Sequence, residues 1–311
     1  MARIVFMGTP EFAVPTLRSL DERYQVVGVV TQPDRPAGRG RKLVMSPVKE
    51  EAMACALPVF QPESLRSEEA VARLGDWEPE VIVVAAFGQI LRKPVLELPP
   101  RGCLNVHASL LPRYRGAAPI PAAILAGDRD TGVTIMHMDE GMDTGPILAQ
   151  AECPIRPDDT TGSLSARLAE LGARLLVEKL PEWLDGQIDA RPQDDALATY
   201  CPLIRKQDGR LDWTLPADQL DRQVRAYDPW PGAYTTWQGQ RLKVLRARPL
   251  ADWHGRGQPG QVVASETGGL AVITGAGALE LLEVQLAGKK PMAAGAFARG
   301  QRDLIGSLLA G

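Results

Sequence analysis

Apolar and polar residues alternate in two different ways along this chain of 311 residues. In the first half, short apolar runs rich in β-branched residues predict strands at residues 3–7, 25–31, 81–86, 102–107 and 132–138. Between them, apolar residues at helical spacing predict helices at residues 11–20, 47–56 and 67–74, and a longer one at 161–184. Strands that alternate with helices are typical of a doubly wound, mostly parallel, Rossmann-like α/β sheet.

The pattern changes near residue 190. Residues 190–206 have no sustained periodicity and are predicted to be a linker. After one helix at residues 216–227, short strands alternate with glycine-rich turns, which suits a small barrel of the OB type. These strands are predicted at residues 233–237, 242–246, 261–264, 270–274 and 279–285. We therefore expect a Rossmann-like domain over residues 1–189 and an OB-like domain over residues 207–311.

Composition places the chain among ordinary globular proteins, with 45% hydrophobic and 23% charged residues. No apolar run approaches the roughly 20 residues that span a bilayer, and the first residues lead into a predicted strand with no signal peptide ahead of it. The four cysteines are dispersed without a CxxC motif, and the three histidines are scattered. We therefore expect a cytoplasmic protein without membrane contact, disulfide framework or bound metal.

Charge is distributed unevenly, although the net charge is only −3. Residues 1–204 hold 21 Lys and Arg against 28 Asp and Glu, a net of −7. Residues 205–311 hold 14 against 10, a net of +4. The positive balance of the second part indicates a polyanionic partner or, equally compatible with the count, an ordinary solvated surface.

Asn105 and His107 end one of the predicted strands. Side chains two residues apart on a strand share a face, and open α/β sheets bind ligands beyond the carboxyl ends of their strands. A carboxamide donor beside an imidazole suits a reaction in which an oxyanion develops while a proton moves. The pair therefore favours an acyl-transfer enzyme, with a structural, hydrogen-bonded histidine as the alternative.

An acidic residue is needed to orient or deprotonate such an imidazole, and Asp143 is the candidate. It follows the strand predicted at residues 132–138, on a loop that we expect to reach the same edge of the sheet. The alternative for Asp143 is an ordinary turn residue, since Asp and Gly cluster in turns. His137 lies within that strand and is interpreted as a packing residue.

Two loops bear on the class of ligand. The turn at residues 8–10 stands where dinucleotide-binding folds carry GxGxxG, but two of the glycines are missing and Pro10 intervenes, so a pyrophosphate cradle is not supported. The loop at residues 32–43 (QPDRPAGRGRKL) holds four basic residues among glycines and prolines. The basic side chains of such a loop suit contacts to phosphate groups. The alternative is an ordinary loop that is exposed to solvent.

Longer motifs surround these residues. They are FMGTPEFA at residues 6–13, the loop 32–43, NVHASLLP at 105–112, GVTIM at 132–136, DTG at 143–145 and YDPWPG at 227–232. With them the chain resembles, essentially from end to end, the family of formyltransferases that use 10-formyltetrahydrofolate. The NxH and SLLP elements with their downstream aspartate mark the wider family, and PDRPAGRG and the C-terminal domain point to its methionyl-tRNA branch.

The resemblance implies that 10-formyltetrahydrofolate donates its formyl group to the α-amine of methionine esterified to initiator tRNA. Residues 1–189 then form the catalytic domain. Its catalytic residues correspond to Asn105, His107 and Asp143, and its folate-binding segment to Ser109, Leu110, Leu111 and Pro112.

The same resemblance implies how tRNA is held. Arg39, Arg41 and Lys42 fall in a loop that meets the acceptor arm, and the C-terminal domain corresponds to an OB-like domain that binds the tRNA. No obligate protein partner is expected.

Three other functions are compatible with parts of the pattern. A formyltransferase acting on a small amine, such as glycinamide ribonucleotide or an amino sugar, would use the same three residues without needing a basic loop. A nucleotide-dependent dehydrogenase is disfavoured by the degenerate turn at residues 8–10. A non-catalytic RNA-binding module leaves the Asn105 and His107 pair without a role.

Overall fold

The computed structural model describes residues 1–37, 42–250, 253, 255–265 and 268–310, without the side chains of Ala37 and Lys42. The chain divides into two compact units. The first comprises Met1–Pro119, Asp130–Pro154 and Leu164–Cys201, and the second comprises Ile120–Arg129, Ile155–Ser163 and Pro202–Gly311. Residues 190–201 of the predicted linker therefore belong to the first unit, and the predicted domain limits at 189 and 207 stay a prediction.

The first unit is organised around a sheet of seven strands. In chain order these are β1 (Arg3–Gly8), β2 (Gln25–Val30), β3 (Val59–Phe60), β4 (Val81–Ala85), β5 (Cys103–His107), β6 (Asp130–His137) and β7 (Ile147–Pro154). Their spatial order is β7-β6-β5-β4-β1-β2-β3. Every residue of β4 is buried, as expected for a central strand that is covered on both faces.

Strand direction divides this sheet into two parts. The strands β3, β2, β1, β4 and β5 are parallel, whereas β6 runs antiparallel to β5 and β7 runs antiparallel to β6. The antiparallel register pairs Leu104 with His137 and His107 with Thr134, so β6 ends beside the beginning of β5. The loop after β6 therefore starts next to the beginning of β5, at the other end of the strands from His107.

Two of the helices begin at a serine that caps the first turn. The hydroxyl of Ser46 accepts from the backbone N–H of Lys49, and the hydroxyl of Ser67 accepts from that of Ala70. The α-helices are Val14–Asp21, Pro47–Ala54, Glu68–Gly75, Lys93–Leu96, Pro119–Ala126, Thr161–Leu184, Ala217–Ala226 and Ala294–Arg299. Short 3-10 helices are Glu11–Ala13, Asp195–Leu197 and Lys206–Gly209. None of the helices in the described ranges combines the length and apolarity needed to cross a lipid bilayer.

The helix Thr161–Leu184 packs close to β5 through a glycine. A side chain at Gly172 would place its Cβ 2.6 Å from Val106 and 3.3 Å from Val133. The absence of a side chain there lets the helix approach the strands closely. Val106 therefore faces the helix, and its neighbours Asn105 and His107 face the other side of the sheet.

Two short strand pairs lie outside the main sheet. Arg35–Ala37 pairs antiparallel with Lys42–Val44, and Arg115–Gly116 pairs parallel with Tyr200–Cys201. The pairing of Arg115–Gly116 with Tyr200–Cys201 joins the loop after β5 to the later part of the predicted linker at residues 190–206.

The second unit is built on an antiparallel sheet of six strands. They are β8 (Tyr234–Trp237), β9 (Gln240–Leu250), β10 (Val262–Ala264), β11 (Leu270–Ile273), β12 (Ala278–Leu286) and β13 (Met292–Ala293). The order is β8-β9-β12-β11-β10, and β13 pairs with β12. Together with the mostly parallel sheet of the first unit, this sheet confirms the predicted fold class.

The last residues of the chain bridge the two edges of this second sheet. Thr236 in β8 pairs with Ala310, and Gln261 beside β10 pairs with Leu308. Backbone hydrogen bonds join Ala310 to Thr236 in both directions at 2.9 and 3.0 Å, and the Leu309 N–H donates to Gly260 at 2.9 Å. Edge strands that are paired in this way form a barrel-like enclosure.

Apolar side chains from the sheet and two helices fill the interior of the second unit. The core members include Leu211, Trp213, Leu220, Trp237, Val244, Leu279, Phe297 and Leu309. The Trp237 and Phe297 rings meet edge to face, with 5.7 Å between centroids. The tail of the chain therefore contributes to the core as well as to the sheet.

Candidate active site

Three polar side chains lie together above the end of β5. His107 is buried, with 6% of its side chain exposed, and Asn105 is half-buried. The Asp143 Oδ1 atom lies 3.4 Å from Asn105 Nδ2 and 3.7 Å from His107 Nδ1. The structure therefore brings together all three residues that the sequence analysis predicts as catalytic candidates.

Asp143 reaches this position on the loop that joins β6 to β7. We expected the loop after β6 to reach Asn105 and His107, and it does so although β6 runs antiparallel to β5 and ends near Leu104. Its loop must therefore return across the face of the sheet before β7 begins at Ile147. Close packing of this loop on β6 uses Gly145, where an added Cβ would collide with the His137 carbonyl.

One nitrogen of the His107 ring is hydrogen-bonded to the backbone. Nε2 lies 3.0 Å from the carbonyl oxygen of Tyr114. A carbonyl oxygen only accepts hydrogen bonds, so Nε2 carries a hydrogen. Nδ1 then faces the Asp143 carboxylate at 3.7 Å, a distance longer than a hydrogen bond.

Asp143 is fixed through its side chain and adopts an unusual backbone conformation. Its φ of 55° lies in the left-handed region, where aspartate is better tolerated than most residues. Its Oδ2 accepts the backbone N–H of Gly116 at 2.8 Å, which leaves Oδ1 directed at Asn105 and His107. A residue held in this region at a cluster of polar groups is a feature of functional sites.

The segment Ser109, Leu110, Leu111 and Pro112 follows His107 and is tied into the fold. The Ser109 side chain is fully buried, and its hydroxyl donates to the Arg113 carbonyl at 2.7 Å. Leu111 is buried against Met136 and Ile147. Leu110 and Pro112 are half-buried. The side chains of Ser109 and Leu111 therefore support the loop, and only Leu110 and Pro112 leave side-chain surface exposed.

The basic loop is only partly described. Arg39 and Arg41 lie outside the described residues, and Lys42 begins a short strand whose pairing is given above. The base of the loop is anchored at Asp34, which accepts from Lys49 Nζ at 2.6 Å and from Gln61 Nε2 at 2.8 Å. The hydrogen bond from Lys49 lowers the pKa of the Asp34 carboxyl below its usual range.

Two residues beside this site, Arg115 and Gln193, were not predicted from the sequence. Arg115 is buried and makes hydrogen bonds to Gln193 and Asp195, and Gln193 contacts the loop that carries Asp143. Both Gln193 and Asp195 were assigned to a linker. An arginine followed by glycine in a polar loop gives no local sign of burial, and this pairing over about 80 positions has no signature in a single sequence.

The remaining polar residues give no metal centre. Over the ranges that the structure describes, no group of three or more His, Cys, Asp or Glu side chains is arranged to hold a metal ion.

The fold and this cluster together define an α/β transferase with an appended antiparallel β-barrel domain. More specifically, the chain belongs to the formyl transferase family. The family's transferase domain matches residues 2–180, and the formyl transferase C-terminal domain matches residues 203–302.

Individual relatives agree with this assignment. The methionyl-tRNA formyltransferase of Roseiflexus castenholzii is 52% identical over 311 residues, which covers 99% of both chains. The N-formyltransferase of Helicobacter canadensis, solved with folinic acid and dTDP-3-aminofucose, aligns over 90% of this chain and 99% of its own with a TM-score of 0.65 and 17% identity. HypX from Aquifex aeolicus in complex with tetrahydrofolic acid aligns over 95% of this chain and 46% of its own, with a TM-score of 0.63 and 19% identity.

Proposed function

We propose that this protein transfers a formyl group from 10-formyltetrahydrofolate to the α-amine of methionyl initiator tRNA. The convergence of Asn105, His107 and Asp143 within 3.4 to 3.7 Å carries the proposal. A full-length relative that is 52% identical and is a methionyl-tRNA formyltransferase supports the choice of acceptor. Since methionyl-tRNA is used where proteins are made, the proposal places the enzyme in the cytoplasm.

The reaction is direct attack of the neutral amine on the formyl carbon. A new bond forms between the amine nitrogen and this carbon, and the formyl oxygen becomes an oxyanion. Asn105 Nδ2 and the Nδ1–H of protonated His107, which at 3.7 Å from Asp143 is too far for a hydrogen bond to that carboxylate, donate to this oxygen. Each such donor is typically worth ~3–4 kcal/mol of transition-state stabilisation. The bond from the formyl carbon to N10 of the folate then breaks.

Proton movement accompanies both steps. The attacking amine loses one proton, and N10 of the folate gains one as it leaves. Asp143, held by the Gly116 N–H, keeps the imidazolium in place and takes up the amine proton directly or through a water. The proton that the amine loses balances the one that N10 gains, so the transfer needs no net proton.

The folate is proposed to lie along Ser109, Leu110, Leu111 and Pro112. The buried hydroxyl of Ser109 and the buried side chain of Leu111 fix this loop, so contacts to the ligand come from its backbone and from Leu110 and Pro112. A segment that is held rigidly by the scaffold is suited to orient a substrate.

The tRNA is proposed to bind to Arg39, Arg41 and Lys42 and to the second unit. Lys and Arg side chains neutralise phosphates and release counterions. The anchoring of the loop at Asp34 supports this role, because it fixes where the basic segment starts. The positive balance of residues 205–311 agrees with a polyanionic partner.

The proposal is tested by supplying both substrates to the purified protein. After incubation with 10-formyltetrahydrofolate and methionyl-tRNA, the methionine is released by mild base and its mass is measured. We expect an increase by one CO unit, and none when either substrate is omitted.

Competing amines separate the proposed acceptor from others of the same chemistry. Glycinamide ribonucleotide and a nucleotide-linked amino sugar are offered in parallel at equal concentration. Formylation of either small amine in preference to methionyl-tRNA would contradict the proposed acceptor and leave the formyl transfer itself standing. Absence of formylation with every amine would contradict the reaction.

A further inference from the structure

The side chain of Gln193 holds the loop that carries Asp143. Its Nε2 donates to the carbonyl oxygen of Asp143 at 2.8 Å and to that of Gly145 at 2.7 Å. Both hydrogens of the amide are thus used on one short stretch of backbone. Asp143 is therefore held at two points, its carboxylate by Gly116 and its main chain by Gln193.

The orientation of this amide is set by a buried cation. Gln193 Oε1 accepts from Arg115 Nε at 3.0 Å and from Arg115 Nη2 at 2.8 Å. Only 1% of the Arg115 side chain is exposed. A flipped amide would point its NH2 group at a guanidinium, which has no acceptor, and its oxygen at two carbonyl oxygens. Arg115 therefore selects the one orientation that holds Asp143.

The charge of Arg115 is balanced at the surface. Its Nη2 donates to Asp195 Oδ1 at 2.7 Å, and the Asp195 side chain is 83% exposed. Parallel pairing of Arg115–Gly116 with Tyr200–Cys201 fixes the backbone that carries both the arginine and the N–H donor to Asp143. The segment from Gln193 to Cys201 thus contacts both the loop that carries Asp143 and the strand that contains Gly116.

Asp143 needs such support because its backbone is in the left-handed region, with φ at 55°. Few residues other than glycine adopt this region, and one that does persists only where its surroundings enforce it. Without the two bonds from Gln193, the loop is free to relax, and Oδ1 would move away from Asn105 and His107. Displacement of a reacting group by about 1 Å can reduce turnover ~100-fold.

We propose that Gln193 is a positioning residue for Asp143 and that Arg115 acts through it by fixing the orientation of its amide. The expected loss of kcat in Gln193 variants rests on the proposed function. The expected displacement of the Asp143 carboxylate rests only on the hydrogen bonds described above. The positioning role makes the segment 193–201 a part of the active site, whereas the sequence pattern marks that segment as a linker.

The kinetic test compares Gln193→Glu with Gln193→Ala. The glutamate keeps the size of the side chain and an acceptor for Arg115, but it presents an oxygen instead of an N–H to the two carbonyls. We expect both variants to reduce kcat by about 10- to 100-fold, as for residues that orient catalytic groups, while the KM values for folate and tRNA change by less than about twofold. The matched control is the same pair of substitutions at the exposed Gln187, which should leave kcat unchanged.

A second measurement reports on the position of Asp143 without turnover. The chain has three histidines, so their imidazole NMR signals are few enough to assign by substitution. The His107 signals should shift in both Gln193 variants, because its Nδ1 faces the Asp143 carboxylate. Those of His137, which packs against Trp183, should stay in place.

The outcomes separate the two proposals. If the wild-type protein does not formylate methionyl-tRNA, the proposed function fails, and the shift of the His107 signals still decides the positioning role. Wild-type kcat in Gln193→Glu, an unshifted His107, or a loss of activity that only matches the loss of folded protein would each overturn the positioning role.

The part played by Arg115 is tested by a double-substitution cycle. Arg115→Lys keeps the charge but cannot offer the paired donors that Gln193 accepts. If Arg115 acts through Gln193, adding Arg115→Lys to Gln193→Ala should lower the kcat of the folded enzyme no further. Reductions that multiply would show that Arg115 acts on the site independently.

Discussion

The Nε2 atom of His107 donates a hydrogen bond to the carbonyl oxygen of Tyr114 at 3.0 Å, and this bond leaves Nδ1 facing Asp143. Tyr114 directly precedes the Arg115–Gly116 strand, whose Gly116 N–H binds the Asp143 carboxylate. One short piece of chain therefore orients both the His107 imidazole and the Asp143 carboxylate. A change that moves this piece displaces the imidazole and the carboxylate together.

Loss of either proposed oxyanion donor should reduce turnover. We expect Asn105→Ala and His107→Ala each to reduce kcat by at least ~100-fold, because each removes one donor to the developing charge. Steady-state kinetics with formyl donor and methionyl-tRNA measure this. His137→Asn, a histidine substitution on the neighbouring strand, should keep near-normal kcat. A folded Asn105→Ala or His107→Ala enzyme with near-normal turnover would remove that residue from the mechanism.

Two substitutions of Asp143 should separate its charge from its backbone role. Asn is well tolerated in the left-handed region and can still accept the Gly116 N–H. Asp143→Asn should therefore lose at least ~100-fold in kcat with an almost unchanged Tm. Asp143→Ala should lose activity and also about 1 kcal/mol of stability. Equal Tm values for the two variants would argue against strain at this position.

Neutralising the basic loop should affect tRNA and spare folate. Arg39→Ala, Arg41→Ala and Lys42→Ala should each raise the KM for methionyl-tRNA, and each should reduce the slope of log affinity against log salt by about 1. The KM for the formyl donor should be unchanged. Arg66→Ala, at an exposed position elsewhere in the first unit, is the control. Insensitivity of tRNA binding to salt would exclude phosphate contacts by this loop.

Burial of His137 should make the protein less stable in mild acid. Burial lowers the pKa of His137 below its usual value of 6.5. Between pH 6.5 and the lower pKa of the folded state, the unfolded chain therefore binds a proton that the folded protein does not bind. The free energy of unfolding falls as the pH decreases through this range. Above pH 6.5 the group is neutral in both states and contributes no pH dependence.

The His137→Gln variant tests this linkage because glutamine does not titrate. The decrease in the free energy of unfolding between about pH 7.5 and pH 5.5 should be smaller in the variant than in the wild type. Denaturant unfolding at the two pH values measures it. Identical pH dependence in both proteins would show that another group causes the acid sensitivity.

Two adjacent leucines, one buried and one exposed, test whether residues 308–310 pack against the core of the second unit. Leu309 is 4% exposed and belongs to the core, whereas Leu308 is 53% exposed. Leu309→Ala should lower the free energy of unfolding by ~2–4 kcal/mol, and Leu308→Ala by less than about 0.5 kcal/mol. Thermal or denaturant unfolding gives both values. Similar losses in the two variants would mean that the tail is not inserted as described.

The elements with strong local signals were predictable. The fully apolar β4 and the helix that begins after Ser67 lie where their patterns indicated, because burial on both faces and an N-terminal cap are encoded in adjacent residues. The two-residue β3 was not predicted, since two residues give no periodicity. Asn105 and His107 were found from their spacing on a single strand.

The arrangement of the site around these two residues depends on distant parts of the chain. The antiparallel direction of β6 is set by its pairing with β5, and no pattern within β6 reports it. The same applies to Arg115, whose burial depends on Gln193 and Asp195, about 80 positions away. Sequence spacing therefore identified the chemical groups but not the contacts that hold them.

The tail that bridges β8 and β10 has a practical consequence for handling the protein. Ala310 exchanges backbone hydrogen bonds with Thr236, so a purification tag fused after residue 311 would start next to a paired strand. A bulky group attached next to Ala310 would compete with this pairing beside the buried Leu309. Tags, dyes and surface-immobilisation handles are therefore better attached at Met1, which is almost fully exposed.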